Sequence, residues 1–304
     1  MVSVRKIDPQ KHYAYAFDRN LEPVAYVDPG EILQIATKDA FSDQLTCESQ
    51  KPSDVNQNIN PQSGPFYING AKPGDCLKIK IISIEPTRDW GVSAVCVGYG
   101  GLVGTRMTRM IMPPLEEKVW IYKRQADGSY YHSEKLHFPW QPFVGTIATA
   151  DKLEVVSAVS PYHLGGNMDV KDVCPGNTIY LPVEVDGGML FLGDCHACQG
   201  DGELNGVALE IAAEVVIQVE IIKDKSIRWP RIESDSEIMV VGSARPMEDA
   251  ARIAYAELID WLCEDYGWDM IEAYQLLGQC GSLYVGNMVD TWYSLVAKVN
   301  KKYL

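Results

Sequence analysis

No apolar run in this 304-residue chain approaches the roughly 20 residues that span a bilayer. Residues 1–10 are mixed and polar and lack the apolar core of a secretion signal. The expectation is a soluble, cytoplasmic protein. Positive charge is scarce: 27 Lys and Arg stand against 41 Asp and Glu, a net charge of −14. That sign argues against a nucleic-acid backbone or a membrane surface as partner, since both are held by clustered cations. The eight cysteines, at positions 47, 76, 96, 174, 195, 198, 263 and 280, are scattered and form no disulfide framework. The string Gly98-Tyr99-Gly100-Gly101-Leu102-Val103-Gly104 is glycine-rich but fits neither the dinucleotide nor the phosphate-loop fingerprint. There is no internal repeat and no low-complexity tail. What remains is ordinary globular composition, 46% hydrophobic and 22% charged, long enough for one large domain or two moderate ones.

Period-two alternation dominates the first three quarters of the chain. Residues 178–185 place Ile179, Leu181, Val183 and Val185 on one face, and Asp186-Gly187-Gly188 then supplies hairpin-turn chemistry before a return strand over 189–192. Residues 206–222 alternate from Val207 to Ile221, which predicts one long strand. Further strands are expected over 12–17, 31–37 and 76–85, a hairpin over 119–136 around Asp127-Gly128, and a long polar loop over 42–63. From about residue 231 the composition changes. Met247, Ala250, Ala254, Leu258, Trp261 and Leu262 form a helical stripe over 246–266, closed by Gly267. Asp269 and Glu272 open a second helix that ends near Gly278 or Gly281. Val289, Trp292, Val296 and Val299 suggest a third helix over 287–300.

The chemistry concentrates in Gly193-Asp194-Cys195-His196-Ala197-Cys198-Gln199-Gly200-Asp201-Gly202-Glu203, read as the loop between two strands. Asp194 and His196 are types that hold Zn²⁺ or a similar ion, and Asp201 and Glu203 suit ligation or general-base work. The bland alternative is an acidic, solvated connection. Asp39, at the end of the 31–37 strand, is equally a turn or cap residue. Residues 161–169 bring His163, Gly165, Gly166, Asn167 and Asp169 into one segment. By itself this is a turn; beside the first loop it becomes the opposite wall of a site. Glu214 and Glu220 belong to a solvated face, while Glu210 lies nearer the loop. Cys195 and Cys198 read as small apolar fillers.

Taken in order, Thr37-x-Asp39-Ala40, Gly64-Pro65, Asn69-Gly70-Ala71-x-Pro73-Gly74-Asp75, Gly165-Gly166-Asn167-x-Asp169, Gly193-Asp194-x-His196-x-x-Gln199-Gly200-Asp201-Gly202-Glu203 and Gly206-x-Ala208-x-Glu210 form a set. With it the chain resembles the acetamidase/formamidase family from end to end. The resemblance implies hydrolysis of small aliphatic amides to carboxylate and ammonia, with a divalent metal at the site. It also implies a mostly β fold with an α+β portion, and assembly as a homodimer or larger homo-oligomer. With the periodicities, the expected architecture is α+β and mostly β. A β-sandwich-like body over 1–230 carries the site loops, and a helix-rich C-terminal layer over 231–304 packs on the sheet or intertwines with it.

An amide needs carbonyl polarisation, an activated nucleophile and a proton for the departing nitrogen. Serine and cysteine amidase signatures are not apparent, which favours a metal-activated water, with zinc first and calcium or manganese as alternatives. On that reading Asp39, Asp194 and His196 are ligands, with Asp169 a further candidate. Glu203 is the general base, with Asp201 its alternate. Asn167 and the backbone N–H groups near Gly165 and Gly166 face the oxyanion, and His163 lies on the substrate side. The rival readings are a non-catalytic small-molecule or metal-binding protein on the same scaffold, and a hydrolase of another C–N or ester bond.

Overall fold

Burial along the strand Ala213–Ile222 follows the sequence pattern: Ala213, Val215, Ile217 and Val219 are buried, and Glu214, Gln218 and Glu220 lie on the partly solvated face. Glu220 pairs there with Lys78 of the neighbouring strand at 3.0 Å. The structure, a computed structural model, describes residues 4–9, 12–55, 58–102 and 115–304. Residues 1–3 and 10 of the polar N-terminus, residues 56 and 57 of the polar 42–63 loop, and Val103 and Gly104 of the glycine-rich string lie outside the described residues.

Two large sheets organise the described residues. The nine-stranded sheet runs Val4–Ile7, Ile32–Ala36, Ala213–Ile222, Cys76–Pro86, Thr178–Pro182, Arg231–Glu233, Glu237–Ala244, Tyr293–Asn300, Ser282–Asn287. The twelve-stranded sheet has the path Leu136–Phe138, Tyr130–Ser133, Lys118–Arg124, Trp90–Val95, Leu209–Ile211, Leu190–Cys198, Phe143–Ala148, Gly165–Asn167, Pro161–Tyr162, with Gln62–Ile68 branching from Leu190–Cys198. One core takes Ile79, Ile81 and Ile217 from the first sheet and Val144, Leu192 and Cys195 from the second. The fold is α+β and mostly β, as expected. Strands from both sides of the 230/231 boundary share the nine-stranded sheet. No helix among the described residues is long and apolar enough to cross a membrane.

Both C-terminal helices form where the stripe and caps place them. Helix α1, Met247–Tyr266, buries Ala250, Ala254, Leu258, Trp261 and Leu262 and ends at Gly267 with φ 71°. Helix α2, Met270–Cys280, begins where the Asp269 carboxylate accepts from the backbone N–H of Ile271 and Glu272, and it closes at Gly281. Both helices share a hydrophobic cluster with Ile238, Val240, Ala297 and Val299 of the nine-stranded sheet.

Four local expectations are corrected. Residues 287–300 are not a helix: Ser282–Asn287 and Tyr293–Asn300 are paired strands. Tyr293–Asn300 is covered on both faces, with Ala297 and Val299 under the helices and Val296 in the main core. A strand buried on both sides loses its alternation and cannot be told from a helix by period. Residues 178–192 are not a hairpin, because Thr178–Pro182 and Leu190–Cys198 lie in different sheets. Asp186-Gly187-Gly188 is the crossover, tied down by Ile68 N–H donating to Gly187 O and Gly187 N–H donating to Ala71 O. The 206–222 strand changes sheet at Ala212, after Leu209–Ile211. Its alternation continues because residues 207–213 are buried throughout the crossing. Finally, residues 193–198 are not a loop but the second half of the strand Leu190–Cys198.

Candidate active site

That last difference explains how the acids and the histidine meet. In a strand, Asp194 and His196 project to one face and Cys195 to the other. Cys195 and Ala197 enter the main core, and burial pushes the Cys195 thiol up to about 12. No candidate metal-ligand group among the described residues includes a cysteine. The antiparallel register sets Asn167 opposite Thr146, Thr146 opposite Gly193, and His196 opposite Glu210. Four neighbouring strands therefore deliver one polar cluster. Asp169 follows directly after the Asn167 strand, Glu203 comes from the segment after Cys198, and Asn287 and Asp290 arrive from the C-terminal end of Ser282–Asn287 and beyond.

His196 Nε2 lies 3.4 Å from Asp194 Oδ1 and 3.3 Å from Glu210 Oε1. Zinc bonds of about 2.0–2.2 Å at tetrahedral angles set ligand–ligand separations of about 3.4 Å. The tautomer is fixed from outside the cluster. The Gln199 side-chain N–H₂ donates to Asp169 O at 3.1 Å and Gly286 O at 3.0 Å. Its Oε1 is therefore the acceptor for His196 Nδ1–H at 3.0 Å. Nε2 faces the carboxylates, buried and without a hydrogen-bond partner among the described residues, as are Glu210 Oε2 and Asp169 Oδ1. Such an arrangement of a histidine braced at its far nitrogen is what metal ligation uses. Two overlapping groups have mutually close ligand atoms: Asp194, His196 and Glu210, and Asp169, His196 and Glu203.

The field around His196 demands a cation. Burial alone would lower its pKa, but Glu210 and then Asp194 outweigh burial and lift it well above the ordinary value. Burial drives the acids upward. Glu210 reaches about 7, with His196 opposing the rise and Asp194 adding to it. Asp290 also reaches about 7 through burial, against hydrogen bonds from Tyr99 and Asn167. Asp169, with burial reinforced by Glu203 and Asp194, and Glu203, with burial opposed by His196 and reinforced by Glu210, lie well above the carboxylate range. A metal ion among these groups would reverse the field they experience.

The backbone is strained where the acids converge. Asp169, Asp194 and Glu203 have φ of 52°, 57° and 48°, the left-handed region that costs non-glycine residues about 1–3 kcal/mol each. Gly145 lies against them: a Cβ there would sit 2.7 Å from Asp169 Oδ1 and 2.9 Å from Asp194 Oδ2. Only glycine leaves room for both carboxylates. Asn167 Nδ2 donates to Asp169 Oδ2 at 3.1 Å and Asp290 Oδ2 at 2.8 Å, and Asn287 Nδ2 reaches the same two atoms at 3.1 and 2.9 Å. Thr146 Oγ1 donates to Asp194 Oδ2 at 3.1 Å. A small cavity of about 60 Å³ meets Asn167, Asp194, Glu203 and Glu210, with Phe41 and Tyr99 on its wall. Where one water needs about 10–15 Å³, this is space for a molecule of only a few heavy atoms.

The structure brings Asp194, His196, Glu203, Asn167 and Asp169 together and leaves the five others of the expected set apart. Asp39 is buried in an ion pair with Arg88, and it accepts from Phe41 N–H at 2.9 Å and Asp43 N–H at 2.8 Å. Its carboxylate is occupied by these contacts, and it falls in no candidate metal-ligand group among the described residues. Asp39→Ala leaves the Arg88 guanidinium, whose side chain is only 14% exposed, with Asp43 at 2.9 Å as its remaining carboxylate partner. The expected cost is about 1–3 kcal/mol in urea denaturation, with metal content unchanged in the protein that remains folded. Asp201 is half-exposed and pairs with Lys171 at 2.5 Å. It does not line the cavity. His163 sits at a different cavity, with Asp151 and Glu184. Gly165 and Gly166 permit close strand packing, since a Cβ would meet Ile147 O at 2.2 Å and Ser160 O at 2.3 Å. Neither lines the site cavity. Sequence reasoning missed Glu210 as a site group; its place on the polar side of the strand nearest the loop was the available signal. It also missed Gln199 as a brace, and Thr146, Asn287 and Asp290, for which no local signal exists.

A fold of two large sheets with this buried acid–histidine cluster belongs to a defined class. The model of the acetamidase/formamidase family matches residues 3–160 and 152–292, and the chain belongs to that family. Among solved structures, an acetamidase from Yersinia enterocolitica is 41% identical with TM-score 0.94, over 99% of this chain and 93% of that one. An acetamidase from Bacillus halodurans is 32% identical with TM-score 0.91, over 98% of each chain. The acetamidase of Mycolicibacterium smegmatis is 27% identical over 265 residues, 67% of this chain and 64% of that protein. The chain thus matches less than two thirds of the length of such curated relatives.

Proposed function

We propose that the protein hydrolyses small aliphatic amides of the formamide and acetamide type to carboxylate and ammonia. The observation that carries this reading is the cavity of about 60 Å³ bounded by Asp194, Glu203 and Glu210, in a chain of this family. Asp194, His196 and Glu210 would hold a divalent ion, zinc by the match of its bond lengths and its affinity for imidazole and carboxylate, with manganese or calcium as alternatives. Such an ion, when bound, supplies Lewis acidity that polarises a carbonyl and acidifies water. The remaining work falls to the chain. Glu203, on the cavity wall, takes the proton of the attacking water and returns it to the leaving nitrogen. Asn167, whose N–H₂ group is committed to Asp169 and Asp290, positions acids instead of holding an oxyanion. Phe41 and Tyr99 bound the chamber. We also place the protein in a reducing compartment such as the cytoplasm, as a homo-oligomer; its eight cysteines are all free thiols.

The test is ammonia release from formamide, acetamide and propionamide by protein as purified, after chelation, and after readdition of Zn²⁺, Mn²⁺ or Ca²⁺. Activity lost on chelation, restored by one ion and declining once the amide outgrows the chamber is the expected result. No ammonia from any amide in a folded, metal-loaded sample overturns it, and leaves a binding protein or a hydrolase of another bond.

A further inference from the structure

His163 is displaced from the site that its sequence context suggested, and its actual surroundings resemble the central cluster in miniature. Its Nε2 lies 3.6 Å from Asp151 Oδ2 and 3.5 Å from Glu184 Oε1. Both separations exceed a normal hydrogen bond and are close to the edge of about 3.4 Å expected between ligands of a tetrahedral zinc ion. The three residues offer ligand atoms that all fall within 4.8 Å of one another. His163 and Glu184 border a separate cavity of about 270 Å³, lined also by Asp75, Lys152 and Arg228.

Asp151 and His163 are held in place by other contacts. Asp151 Oδ1 accepts from the backbone N–H of Leu153 at 2.5 Å and of Glu154 at 2.9 Å, which leaves Oδ2 for the imidazole. The His163 ring stands edge-on to Tyr162 and to Trp229, with centroids 5.6 and 6.3 Å away. Arg228, on the cavity wall, is engaged with Glu257 at 2.7 Å and with Asp260. Asp75 is engaged with Lys223 at 2.8 Å. One cation competes directly: Lys152 Nζ lies 3.4 Å from Glu184 Oε1, but its side chain is 59% exposed and free to swing into solvent.

We propose that Asp151, His163 and Glu184 form a second divalent-metal site, of zinc type, distinct from the central cluster and with its fourth position open to the 270 Å³ cavity. Lys152 is the counter-ion that the metal displaces. The site requires neither amide hydrolysis nor occupancy of the central cluster.

The test titrates chelator-stripped full-length protein with Co²⁺, reading stoichiometry and the visible absorption of tetrahedral cobalt, and then displaces Co²⁺ with Zn²⁺. Wild type is expected to show a class of sites that His163→Ala and Glu184→Gln each weaken by at least about tenfold and that His196→Ala leaves intact. Lys152→Ala should tighten the same class by about fivefold, the effect of removing one unit charge near 4 Å in a solvated site. Glu184→Gln preserves shape, so a folding failure of His163→Ala does not decide the outcome. Cobalt binding unchanged in a folded Glu184→Gln variant overturns the proposal, as does complete loss of binding in a folded His196→Ala variant. If the central cluster takes no metal, a single class that vanishes with His163 still supports it.

Discussion

Replacing His196 by alanine is expected to empty the central cluster of metal and to lower amide turnover by about 10²–10³-fold or more, the scale of a lost preorganised electrostatic group. His196 is the one imidazole among five buried acids, Asp169, Asp194, Glu203, Glu210 and Asp290. It belongs to both candidate ligand groups that converge there. The measurement is metal content by elemental analysis beside ammonia release, on protein whose fold is checked by circular dichroism. Removing a buried charged partner can cost about 3–5 kcal/mol, so His196→Asn, which keeps a polar group at the position, is the companion variant. Unchanged metal content in either folded variant rejects the ligand assignment.

Glu203→Gln is expected to lower turnover by about 10²–10⁴-fold, the contribution of a positioned acid–base group, while metal stays bound. Glutamine retains the carbonyl oxygen that accepts from Ala208 N–H, a contact of 3.0 Å in the native protein. The same N–H is 3.1 Å from Glu210 Oε1, so backbone geometry links the proposed base to the proposed ligand. Because Glu203 also falls in the group with Asp169 and His196, the two readouts separate its roles. Loss of metal together with turnover moves Glu203 into the ligand set. Near-normal turnover with metal retained removes it from proton transfer.

Much of the local structure was legible because it depends on neighbours in the chain. The stripe from Met247 to Leu262 with Gly267 behind it marks α1, and Asp269 marks the start of α2, because caps and 3.6-residue periodicity act over one or two turns. The alternation of Ala213, Val215, Ile217 and Val219 marks a half-buried strand for the same reason. Residues 287–300 failed because covering both faces of Tyr293–Asn300 removes the polar positions that distinguish a strand.

The sequence by itself determined the mostly β class, the two helices and the segment that carries Asp194, His196 and Glu203, since each rests on residue types at short spacing. Tertiary structure alone decided which sheet each strand joins, as at Ala212, where the pattern continues while the hydrogen-bonding partners change. It decided that Glu210 stands opposite His196, because strand register is a long-range choice. It brought Asn287 to Asp169 and Asp290 to Asn167, each more than 100 residues earlier in the chain. It also sent Asp39 to Arg88 and His163 to Asp151 and Glu184. A carboxylate or imidazole takes its role from the charges folded against it, and those charges come from distant parts of the chain.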